Sequence, residues 1–333
     1  MKRFVPLLLT LLLLLNLSAC GGASSPAGEA ETPANDSGKL KIVTTIFPIY
    51  DWVRQILGDD AVHAEVVTLL DSGVDLHSYQ PTVDDIVKIS GCDLFIYVGG
   101  ESDAWVSDAL RESSNPDRVV LSLLDLLGDD IKEEELVEGM EAEHEHEEAE
   151  EHDEEEDGPA YDEHVWLSLK NARVLCAAIA DTLSGLDADC AEHYAANLAA
   201  YDASLASLDA EYAAMVSSAA HDTVLFGDRF PFRYLVDDYG LQYYAAFAGC
   251  SAETEASFET IVFLANKLDE LGLPAVLIID GSDGRIAGTI VENTQSKDQA
   301  ILTLDSMQSA TADGATYLSL MEQNLAVLTQ ALS

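Results

Sequence analysis

Basic residues are scarce: 16 lysines and arginines stand against 61 acidic residues among 333, a formal net charge of -45 at pH 7. A chain so charged repels phosphate backbones and anionic headgroups and draws cations, which argues against nucleic acid as a partner. Cysteine is also sparse, and no two of the five lie at a zinc-ribbon spacing. Beyond Cys20 these are Cys92, Cys176, Cys190 and Cys250. Buried free thiols are the plain reading; a Cys176–Cys190 disulfide is the alternative, provided the two helices carrying them are adjacent. The strings H-E-x-x-H, G-x-S-x-G and G-x-x-x-x-G-K-[ST] are absent, which lowers the case for a zinc-dependent hydrolase or any other enzyme. Apolar residues are not lacking. At 48% they suffice to fill two cores, which excludes disorder throughout.

The one long apolar run is at the start, MKRFVPLLLTLLLLLNLSACGG, with two basic residues and a core too short to cross a bilayer comfortably. An export signal over 1–19 is expected. Leu17-Ser18-Ala19-Cys20 resembles a bacterial lipobox, which implies cleavage before Cys20, lipid on its sulfur and a place on the extracytoplasmic face of the cell membrane. Residues 20–38, small, polar and proline-bearing, read as a flexible tether.

Order is expected from KLKIVTTIF onward, where short β-branched runs alternate with helical patterns. That rhythm predicts an α/β fold of two similar lobes, each a mostly parallel sheet flanked by helices. The N-terminal lobe is assigned to 39–186, with an acidic, His-rich loop over 129–160. The C-terminal lobe is assigned to 220–333. Between them Tyr194, Leu198, Tyr201, Leu205, Leu208, Tyr212 and Met215 recur at alternating steps of four and three, one face of a long helix over 187–219. Such a helix is a rigid connector or a simple packed helix. As a connector it predicts little lobe motion on ligand binding.

Ligands in such sheets bind at the carboxyl ends of strands. Three loops there carry metal-ligand types: His77 in DLHSYQPT, His164 in YDEHVWLSLKNA and Asp305 in AILTLDSMQS. Imidazole nitrogen and carboxylate oxygen suit Zn²⁺ and, with more oxygen, Mn²⁺. Spacing alone does not join the three.

The order of GVDLHSYQPT, a His- and acid-rich insertion, DEHVWLSLKNA, a long helix, VDDYGL and LTLDSMQS resembles the metal-binding lipoproteins of bacterial zinc and manganese ABC importers, the ZnuA/AdcA-like family. The likeness runs from about Lys39 to the C-terminus. It implies one divalent ion, most readily Zn²⁺, held in an inter-lobe cleft as cargo for an ABC permease, by a protein expected to be monomeric. By motif, His77, His164 and Asp305 fall on the family's ligand positions. The remaining position, counted back from Tyr239-Gly240, falls on Arg229, which stays protonated and offers no lone pair. Asp228 and Asp280 are the candidates to replace it, with water the alternative, and Arg229 is expected to pair with one of those acids. The other classes left open are a zinc hydrolase and a surface adhesin.

The run from Glu141 to Gly158 carries His144, His146 and His152 among carboxylates. These can bind zinc, but a disordered tract loses entropy on binding and offers no fixed geometry. The run is read as a low-affinity accessory collector beside the principal site. Its histidines favour zinc over manganese.

Overall fold

The computed structural model describes residues 38–70, 73–111, 113–140, 160–251, 255–308, 310 and 314–333. Cys20, the expected signal and tether, and His144, His146 and His152 lie outside the described residues.

The first sheet is built from β1 (Leu40–Thr44), β2 (Ala64–Thr68), β3 (Leu94–Tyr97) and β4 (Val119–Ser122), all parallel, in the order β2-β1-β3-β4. The second is built from β5 (Thr223–Phe230), β6 (Gln242–Ala248), β7 (Ala275–Ile279) and β8 (Ala300–Leu304), also parallel, in the equivalent order β6-β5-β7-β8. Parallel neighbours need crossovers, and helices supply them. In the first lobe these are α1 (Phe47–Leu57), α2 (Val83–Gly91) and the single turn α3 (Val106–Ala109), followed after β4 by α4 (Leu123–Leu127) and α5 (Leu169–Leu186). After the long α6 (Ala191–Ser218), the second lobe has α7 (Arg233–Tyr239), α8 (Phe258–Leu271), α9 (Arg285–Asn293) and α10 (Tyr317–Ala331).

Local chemistry sets several of these starts. Pro48 sits in the first turn of α1, where a missing N–H costs nothing. Thr82 and Asp85 close a capping box at α2, and Ser168 accepts from the Asn171 N–H at the start of α5. In the segment RVVLSLLDLL, β4 passes directly into α4, with Ser122 as the cap.

The tyrosine-leucine stripe of α6 is inside: Tyr194, Tyr201, Leu205, Leu208 and Tyr212 are buried. The 28 residues span ~42 Å and pack on α1 and α5 at one end and on α7 and α10 at the other. One continuous apolar core therefore runs through both lobes, and a smaller one lies between the second sheet and helices α8 and α9. At the seam Trp52 of α1 meets Tyr317 of α10 edge to face, 5.2 Å between centroids. The Tyr317 hydroxyl donates to the Trp166 carbonyl at 2.6 Å, and the Trp166 indole donates to the Ser306 carbonyl at 2.9 Å.

The cysteines follow the plain reading, and one contact lay outside the sequence reading. Cys176 and Cys190 are free thiols. Cys176 lies ten residues before the end of α5 at Leu186 (186 − 176), ~15 Å down the helix, while Cys190 is at the opposite end of the connection, beyond disulfide reach. The segment entering the acidic loop, assigned to the first lobe, grips the second. Lys132 pairs with Asp237 at 2.6 Å, Arg233 with Glu135 at 3.0 Å, and the Lys132 N–H donates to the Tyr234 hydroxyl.

Candidate metal centre

The site lies where loops from the two lobes meet. After β2 the chain makes a short 3-10 turn, Leu76–Ser78, whose N-cap Asp75 accepts from the His77 N–H at 2.9 Å. This fixes the backbone that carries the His77 ring. After the acidic run a second short turn, Val165–Leu167, begins at His164, with Asp162 accepting from the His164 N–H at 2.9 Å. The two rings converge, with Nε2 of His77 3.1 Å from Nε2 of His164.

Each imidazole is held from behind at Nδ1. Asp162 Oδ1 lies 3.0 Å from His164 Nδ1, and Ser102 Oγ lies 2.7 Å from His77 Nδ1. A carboxylate at Nδ1 keeps the proton there and leaves the Nε2 lone pair facing the cleft. Glu163 supports the second contact: its Oε1 accepts from the Ser102 N–H at 2.8 Å, and its Oε2 lies 3.8 Å from His77 Nδ1. The carboxylate sits against Gly100, at φ +82°, where any Cβ would overlap it. Burial raises the Glu163 pKa. Burial also holds His77 well below the usual imidazole range, with the charges of His164 and Arg229 acting the same way and Asp75 opposing. His77 is therefore neutral at physiological pH, as a metal ligand must be.

The second lobe contributes two groups. Cys250 follows β6 and forms, with His77 and His164, a set whose donor atoms all lie within 4.8 Å of one another. Gln308, from the loop after β8, places its amide against both rings: Nε2 is 3.1 Å from His77 Nε2 and in short contact with His164 Nε2. The groups that meet are two imidazoles, a thiol and a carboxamide, whose contacting nitrogen offers a metal no lone pair.

The three predicted acids are not part of this set. Among the described residues, Asp305, Asp228 and Asp280 do not join the donor group. Asp305 ends its strand as expected, but its Oδ1 turns back to accept from the Met307 N–H at 2.8 Å, so the loop carries Gln308 to the cleft instead. Burial and the neighbouring Asp280 push the Asp305 carboxyl up to about 6. Asp280 accepts from both the N–H and the hydroxyl of Ser306 at 2.7 Å. Asp228 is not at the end of β5 but in a register break between Phe226 and Arg229, accepting from the Arg229 and Ile279 N–H groups. Arg229 pairs with neither acid; it crosses the cleft to Asp75 Oδ2 at 2.7 Å. Asp75 thus holds His77 with one oxygen and Arg229 with the other.

Sequence reasoning missed Cys250 and Gln308. Both stand just past the carboxyl end of a strand, β6 for Cys250 and β8 for Gln308, the position where ligands of such sheets bind.

These elements match known proteins over most of the chain. The high-affinity zinc uptake system protein ZnuA of Bacillus subtilis is 30% identical over 319 residues, covering 96% of this chain and 94% of that protein. The zinc-binding protein AdcA of Streptococcus pyogenes serotype M3 is 29% identical over 299 residues, 87% of this chain, which spans only 56% of that longer relative. The crystal structure of the Zn(II)-bound ZnuA-like domain of Streptococcus pneumoniae AdcA superposes with a TM-score of 0.66 at 28% identity, covering 89% of this chain and 99% of that one. The family model described as zinc-uptake complex component A, periplasmic, matches residues 42–331, and the chain belongs to that family.

Proposed function

We propose that this protein is the extracytoplasmic solute-binding component of an ABC importer. It captures one divalent transition metal, Zn²⁺ rather than Mn²⁺, and passes it to a membrane permease, acting as a monomer held to the membrane by lipid on Cys20. Nothing is made or broken in the cargo; the chemistry is coordination. The supporting observation is the imidazole pair. Zinc–nitrogen bonds of ~2.0–2.1 Å at a tetrahedral angle separate two ligand nitrogens by ~3.3 Å, and the two Nε2 atoms stand 3.1 Å apart. The imidazoles themselves need little rearrangement to receive the ion, which lowers the ordering cost of capture, while the Gln308 amide must turn aside or present its oxygen. Names borne by relatives point the same way, and the acidic His-rich loop gives cations a field to follow.

Metal-stripped protein titrated with zinc and manganese against a competing chelator tests this. One tight zinc per chain is expected, with weaker manganese. His77→Ala and His164→Ala should each lose far more affinity than deletion of 141–157. Equal losses, or manganese held more tightly than zinc, would refute the assignment.

A further inference from the structure

Of the four family positions, Arg229 is turned to Asp75 and offers no lone pair, and Asp305 caps its own turn, so two protein ligands are wanting beside the imidazoles. Another side chain stands closer. We propose that Cys250 is the third protein ligand, so that the ion is held by two imidazoles and a thiolate. This rests on the metal-capture reading above and deepens it.

Geometry carries the assignment. A zinc ion bonded to nitrogen at ~2.0–2.1 Å and to sulfur at ~2.3 Å sets a nitrogen–sulfur separation of ~3.6 Å in a tetrahedron. One ring nitrogen of each imidazole lies within 4.8 Å of the Cys250 Sγ, so bringing the sulfur to ~3.6 Å from two zinc-bound nitrogens asks for a side-chain movement of about an ångström or more. The backbone is arranged for this approach. Gly249 brings the strand end against the His164 ring: a Cβ there would meet Phe230 O at 2.8 Å and His164 Cε1 at 3.1 Å. The Cys250 N–H donates to Glu134 Oε1 at 3.1 Å, which ties the loop to the stem of the acidic insertion.

The reaction is a ligand exchange. Zinc bonds to sulfur, the S–H bond breaks, and one proton per ion leaves to buffer. The thiolate cancels one of the two charges of the ion. A soft donor also explains selection: sulfur favours zinc over manganese, which prefers oxygen.

Cobalt(II) reports sulfur ligation directly. Full-length, metal-stripped protein is titrated with Co²⁺, then with Zn²⁺ against a chelator, as wild type, Cys250→Ser and Cys250→Ala. The expected result is a near-ultraviolet sulfur-to-cobalt charge-transfer band in wild type only, and a zinc affinity at least roughly tenfold lower in both variants. The other cysteines and the His-rich loop cannot mimic a band that disappears with Cys250. One tightly bound cobalt without that band, or variants of unchanged zinc affinity, would overturn the sulfur ligand while leaving metal capture intact. A wild type that binds neither ion would sink both. A variant whose circular dichroism departs from wild type is replaced by the other one.

Discussion

Asp162→Ala is the sharpest probe of the imidazole pair, because it removes support without touching a donor atom. Asp162 is almost wholly buried and accepts twice from one residue: the His164 N–H at 2.9 Å and, at 3.0 Å, the Nδ1 position. Without it the His164 ring loses the partner that keeps its proton away from Nε2. Carboxylates in this role are worth about 10–100-fold in metal affinity, or ~1.4–2.8 kcal/mol. The zinc dissociation constant of Asp162→Ala should rise by that factor in a chelator competition. Asp162→Asn keeps an oxygen acceptor without the charge and should fall between. Zinc-induced thermal stabilisation supplies a second readout, since a hundredfold weaker site loses ~2.7 kcal/mol of linkage at fixed excess metal. Wild-type zinc affinity in a folded Asp162→Ala would refute the argument that Asp162 orients His164.

Two further outcomes are expected. Asp103, buried and accepting from the Val98 and Gly99 N–H groups, is pushed from 3.8 up to about 7, chiefly by burial. Between those values the folded state keeps a proton that the unfolded chain has released, so stability falls as pH rises through the window, by on the order of 4 kcal/mol in all. Asp103→Asn should flatten that slope in denaturant titrations from pH 4 to 8; an unchanged slope would refute the assignment. Because the core is continuous across the lobes, X-ray scattering profiles of metal-free and zinc-loaded protein should nearly superpose, and a large change in radius of gyration would count against a stiff connector.

Much of the fold was legible because each level agreed with the next. Short β-branched apolar runs marked the strands, and the tyrosine-leucine spacing of α6 named its buried face. The failures are local. AWVSDALRESS reads as a helix, yet among its described residues only Val106–Ala109 is helical, and no side chain caps its start. β5 continues past Asp228 through a bulge, which no alternation reveals. At the site, His77 and His164 were legible through the company their motifs keep. Asp305 caps its own turn, a role as open to an aspartate at a strand end as facing a cleft. Cys250 and Gln308 acquire their roles only when loops 58 residues apart in sequence (308 − 250) close on the same rings.

The aromatic seam of Trp52, Trp166 and Tyr317 has an implication for how the molecule is made. Its halves share one sheet order and look like a duplication, yet neither owns the surface between them. Cleaved in the connection before α6, the polypeptide should yield two pieces that recover native structure only on mixing, each stripped of the rings that shield the other from water.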